Sequence, residues 1–227
     1  MLLPFDFRKD PFLILDFSAT NPDLTPESQR QTGLDLTNTA IFSDYVFGKM
    51  STAGVLVGVG GYNEHRVIYR RSEHFSGTEE PREIHLGIDF WAAAGTPVFA
   101  PMDGIVHSFQ DNNNFGDYGP TIILDHSSDG KPLYSLYGHL TRASLDGLFV
   151  GKVIKAGEQL GAIGPFPENG DWPPHLHFQL MTDMLGLTGD FPGVCSLSDR
   201  ARFLAICPNP NELLNIPGLA EDEKIRL

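Results

Sequence analysis

The chain has 227 residues, with 16 Lys and Arg against 29 Asp and Glu, for a formal net charge of −13. So acidic a balance excludes a surface built to hold nucleic acid or another polyanion, which needs clustered basic side chains. The 24 Gly and 17 Pro favour short strands and many turns, and exclude a bundle of long helices.

The first residues, MLLPFDFRKDPFLILDFS, lack a basic leader, and Pro4, Asp6, Arg8, Lys9, Asp10 and Pro11 interrupt their apolar stretch. No apolar run approaches the ~20 residues of a membrane span. The chain therefore reads as cytoplasmic, with neither membrane nor nucleic acid as partner. Residues 1–82 read as an irregular N-terminal arm packing on a core. Within it, GVLVGVGG beginning at Gly54 lacks the GxGxxG spacing and no amphipathic helix follows, so it reads as a glycine-rich strand or turn.

Residues 83–182 form the core, with strands predicted at 84–90, 97–100, 104–110, 121–125, 133–139, 160–163 and 176–181. Turn residues separate them, and this spacing predicts an all-β sandwich or barrel-like core with only short helices. Residues 183–227 are a C-terminal extension, with one short helix predicted at 198–206 and another starting at Asn209-Pro210-Asn211. Cys195 and Cys207 form neither a disulfide framework nor a CxxC clip, and read as reduced structural residues.

Three clusters carry chemistry: His85-Leu-Gly-Ile-Asp89, Tyr137-Gly-His139-Leu and His175-Leu-His177. On a strand, alternate residues share a face, so His175 and His177 project into one cavity. HxxxD is harder, because a straight strand would hold its ends roughly 13 Å apart, too far for one ion. The chain must bend between them, and Gly87 sits at the midpoint. His107…Asp111 has the same spacing without a glycine and is read as ordinary strand. His85, Asp89 and His177 then give two imidazoles and one carboxylate, a three-ligand zinc site with a position free for water, one ion per chain. Such donors also accept other first-row divalent ions. His139 and His175 are the candidates for taking the water's proton, stabilising the oxyanion and protonating the leaving amine. Lone strand histidines are usually hydrogen-bonded surface or core groups, the reading given to His65, His74, His107 and His126.

Taken in order, HLGIDFWAAAGTPVFAPMDGIV, YGHL, GKVIKAGEQLGAIG and HLHFQL resemble the M23 family of zinc metallopeptidases, which includes the lysostaphin and LytM type enzymes. The resemblance implies an antiparallel β-sandwich built as a duplicated barrel-sandwich hybrid, with an active-site groove across its large sheet. It implies zinc on His85, Asp89 and His177, catalytic assistance from His139 and His175, and a peptide or amide substrate cleaved by an activated water. Where typical members carry a small Ser/Thr-Gly-Pro segment before HxH, this chain reads Glu168-Asn-Gly-Asp-Trp-Pro-Pro174, which reshapes one groove wall. YNEHRVIY and DFPGVC…CPNPNELL also resemble the M23 segment of intracellular fusions with phosphotransferase-like and class III aminotransferase domains, and imply partner domains of those kinds. Two further functions follow: a non-catalytic or regulatory binding module on the same fold, and a zinc amidase acting on a small intracellular amino metabolite.

Overall fold

The computed structural model describes residues 1–219 except 73–74, 76–79 and 129. Its strands are β1 Leu13–Leu15, β2 Gly58–Gly60, β3 Arg82–His85, β4 Ile88–Trp91, β5 Pro97–Phe99, β6 Gly104–Asn112, β7 Gly119–Asp125, β8 Tyr134–Gly138, β9 Val153–Ile154, β10 Gln159–Ala162, β11 His175–Met181 and β12 Val194–Ser196. Eight of them form one sheet in the order β1-β2-β4-β11-β8-β7-β6-β9, antiparallel except for the β1–β2 pair. β5 pairs with β10 and β3 with β12 in two-stranded antiparallel sheets.

The period of two along each strand divides this sheet into two chemically different faces. On one face Ile88, Phe90, Leu176, Phe178 and Leu180 enter an apolar core shared with Val98 and Leu160 of the β5–β10 pair. On the other face stand Asp89, Trp91, His175, His177 and Gln179, all buried. Every residue of β11 is buried, so the polar side chains that alternate with apolar ones along HLHFQL are enclosed as fully as the core-facing ones. The β-rich, mostly antiparallel class is as expected.

The polar face is covered from both flanks. Residues 1–82 are not irregular: besides β1 and β2 they contain helix α1 (Pro26–Thr32) and helix α2 (Thr39–Thr52). Asn38 caps α2 by accepting from the N–H groups of Ala40 and Ile41. Phe42, Val46 and Met50 recur every four residues on its buried side and join a cluster with Phe17, Trp91 and Trp172. The Asn cap is the helix signal that overrides the reading of a structureless arm; Ile41, Tyr45 and Phe47 spread apolar residues around α2 and blur its period. C-terminally, helices α3 (Arg200–Leu204) and α4 (Asn211–Leu214) fall where short helices were expected. Phe191, Phe203 and Cys207 pack with Leu136 and Met181 in a third apolar cluster. Cys195 and Cys207 are buried free thiols, and burial pushes both up to about 12. No described helix is long and apolar enough to cross a membrane.

Candidate metal centre

Strand pairing builds the site. In the sheet register His177 lies opposite Asp89 on β4 and opposite Gly138 on β8, while His175 lies opposite Trp91. The expected strand 84–90 is two strands: β3 ends at His85, belongs to another sheet, and the chain crosses to β4 through Leu86-Gly87. A Cβ at position 87 would come within 2.7 Å of His177 Cε1 and of the Phe178 carbonyl oxygen. Glycine is required here by close approach of a neighbouring strand more than by the bend itself.

His85 Nε2, His177 Nδ1 and Asp89 Oδ1 form a compact triangle. The nitrogens are 3.0 Å apart, His177 Nδ1 is 3.0 Å from the carboxylate oxygen, and His85 Nε2 is 3.2 Å from it. The tautomers follow from the partners. His85 Nδ1–H donates to the Gly61 carbonyl at 2.8 Å, and a carbonyl can only accept. Gln179 Nε2 donates to the Pro192 carbonyl, which turns Oε1 toward His177, so His177 Nε2–H is the donor in their 2.9 Å contact. Three lone pairs therefore face one another with no proton between them. Ligands bonded at ~2.0 Å in a tetrahedron stand roughly 3.3 Å apart, so this donor set fits a divalent cation. These three are the metal-capable cluster found among the described residues.

Electrostatics keep the triad's His85 neutral and its carboxyl ionised. Burial, then the charge of Arg66, brings the His85 imidazole down to about 3, which keeps it neutral. Burial pushes the Asp89 carboxyl up, but the charged Arg66 guanidinium beside it wins and holds it well below the usual carboxylate range. Arg66 is fully buried; it donates to Asp89 Oδ2, to Glu64 at 2.6 Å, to the Tyr69 hydroxyl at 3.2 Å and to the Gly61 carbonyl at 3.2 Å. Glu64 in turn accepts from the Phe17 N–H at 2.8 Å. Sequence reasoning missed this brace. Its one signal is a Glu and an Arg two residues apart, followed directly by an apolar run, in YNEHRVIY.

His139 and His175 stand beside the triad with ring centroids 4.1 Å apart. His139 Nδ1–H donates to the Asn169 carbonyl at 2.7 Å and His175 Nδ1–H to the Pro173 carbonyl at 2.8 Å, leaving both Nε2 atoms as acceptors. Burial lowers both: His175 to about 4, and His139 well below the ordinary range, with His175 beside it adding to the effect. His175 Nε2 is 4.0 Å from Asp89 Oδ1, and its ring stacks on Trp91 at 4.1 Å. His139 leaves β8 with a φ of 62°, a left-handed conformation rare outside glycine. The segment 165–174 supplies both orienting carbonyls, and Asn169 pins it through the Gly164 and Trp172 carbonyls and the Trp172 N–H. All five expected site residues thus lie together. Of the rest, His65 pairs with Glu83, His107 bonds its neighbour Ser108, and His126 bonds Ser135 and the Asp103 carbonyl. His74 lies outside the described residues.

Residues 83–187 match the model described as Peptidase family M23. These residues are an M23 domain. A DD-carboxypeptidase/endopeptidase Mpg of Neisseria meningitidis serogroup B is 29% identical over 55% of this chain and 27% of its own length. An L-Ala–D-Glu endopeptidase of Bacillus subtilis is 30% identical over 45% of this chain and 31% of its own length. Among solved structures, the catalytic domain of lysostaphin from Staphylococcus simulans is 28% identical, with a TM-score of 0.41, over 59% of this chain and 80% of that one. The chain spans about a quarter to a third of the length of these curated relatives. All five site residues fall inside the M23 domain, whereas Arg66 and Glu64 fall outside the matched residues.

Proposed function

We propose that the chain is a zinc-dependent hydrolase of peptide or amide bonds, with His85, Asp89 and His177 holding one ion. One observation carries the reading: a buried, acceptor-only triad 3.0–3.2 Å on its edges, beside two neutral imidazoles with open Nε2 atoms. Zinc bound there supplies Lewis acidity, polarising the scissile carbonyl and lowering the pKa of water toward ~7.

The protein's own groups do the rest. With its Nδ1–H tied to a backbone carbonyl, each ring of the His139/His175 pair meets the substrate through Nε2 alone. A neutral ring accepts the attacking water's proton at that atom and returns it to the leaving nitrogen as the C–N bond breaks. While it holds the water's proton at Nε2, that ring is also the group able to donate to the carbonyl oxygen that gains negative charge. By these criteria the two rings are equivalent. Neutrality at rest, enforced by burial, keeps both available as acceptors. Trp91 under His175 and Trp172 beside both rings keep water from the carbonyls that orient them.

Support from relatives is of the same kind: those named for a peptide bond include the L-Ala–D-Glu endopeptidase and a peptidoglycan DD-endopeptidase ShyC of Vibrio cholerae. The test is a His139→Ala chain loaded with zinc and assayed on short peptides and murein fragments. The reading expects about one zinc per chain with turnover lost; full turnover in that variant rejects the role of His139.

A further inference from the structure

The site is a narrow cavity, and several of the described residues that line it come from segments outside the M23-matched residues. Its cavity is about 120 Å³, below the ~300–1,000 Å³ of ordinary small-molecule sites. His139 is 5% exposed, and His175, His177 and Trp172 are each 3% exposed. From the N-terminal side Tyr69 and Phe75 line the cavity; their rings meet Trp172 at 6.1 and 6.3 Å, and each other at 4.9 Å. Arg71 stacks on Trp172 with its guanidinium carbon 4.6 Å from the ring centroid, locking the two segments together. From the C-terminal side Phe191 and Gly193 close the opposite wall. The two loops flanking the sheet face are joined as well, since the Gly116 N–H donates to the Gly170 carbonyl at 2.8 Å. A Cβ on Gly170 would overlap the Asp117 carbonyl oxygen at 1.8 Å. Among the described residues, this backbone contact and the aromatic wall narrow the way for a chain running through the site.

Resting on the hydrolase reading, we propose that the substrate is a short peptide or small amide whose scissile bond lies beside a chain end, the end being held in the aromatic chamber. A bond in the interior of a long or cross-linked polymer does not reach the triad. The M23 core supplies the reacting groups, and Tyr69, Phe75 and Phe191 set the length of what enters.

Both tryptophans of the chain line the cavity, so intrinsic fluorescence reports occupancy independently of turnover. The zinc-loaded chain is titrated with a panel of di-, tri- and tetrapeptides with free or amidated ends. The same sequences extended by eight residues on each side, and intact murein sacculi, are titrated in parallel while released amine is measured. The proposal expects saturation and cleavage with short members and at least fifty-fold weaker responses from their extended forms. Phe75→Ala, which removes one wall, narrows that gap to under about fivefold. Equal binding or cleavage of extended peptides or sacculi overturns the proposal, and so does a lack of response to every probe. Saturation by short peptides without cleavage instead overturns the hydrolase reading and leaves a size rule for a ligand.

Discussion

The two halves of the site use the same side chain for opposite ends. In the triad, His85 and His177 give their outer N–H to Gly61 and Gln179 and turn bare lone pairs inward onto a carboxylate oxygen. In the neighbouring pair, His139 and His175 are tied by backbone carbonyls, which leaves their Nε2 lone pairs without a fixed anion facing them at hydrogen-bond distance. The first arrangement is electrostatically unfavourable until a cation enters, and the second is satisfied without one. Histidine's role is thus decided by what its other nitrogen bonds and by whether a fixed anion faces it.

Variants that hit one half and spare the other sharpen this contrast. The largest effect is expected from Asp89→Ala, which removes the anion from the triad: zinc content by elemental analysis falls to about a tenth per chain or less, and turnover is abolished. Next comes His139→Ala, which lowers kcat by ~10²–10⁴ while zinc stays near one per chain. Zinc loss in that variant would erase the distinction between the halves. Gln179→Ala frees the His177 tautomer and weakens zinc affinity by ~10–100-fold in a competitive chelator titration. Asn169→Ala loosens the carbonyl that orients His139, and lowers kcat by about tenfold with zinc affinity unchanged. The smallest effect belongs to Asn38→Ala, remote from both halves: it costs about 1 kcal/mol in denaturant unfolding through loss of the α2 cap, and leaves kcat within about twofold.

The core and its site residues were legible because their chemistry is local. Alternation along HLHFQL sends His175 and His177 to one face, and the HxxxD spacing forces a break at Gly87. The glycine's deeper reason, the His177 ring against it, depends on a neighbouring strand and could not be read from spacing. Arg66 was passed over because a buried guanidinium is recognised by its partners, and Asp89 lies 23 residues away. Arg71 is likewise buried, against Trp172, a partner about a hundred residues away in sequence. The arm looked irregular because its strands are only three residues long and α1 buries none of its residues. In α2 the buried Phe42, Val46 and Met50 are interleaved with apolar Ile41, Tyr45 and Phe47, which masks the period.

The central claim is that the triad is a cation site completed by two imidazole nitrogens and one carboxylate oxygen. Zinc-edge X-ray absorption on the loaded chain tests it most directly. The expected spectrum has two imidazoles and oxygen donors at about 2.0–2.2 Å, no sulfur, and about one ion per chain. Sulfur scattering at about 2.3 Å, which would point to Cys195 or Cys207, or an ion that washes out on dialysis, would contradict it.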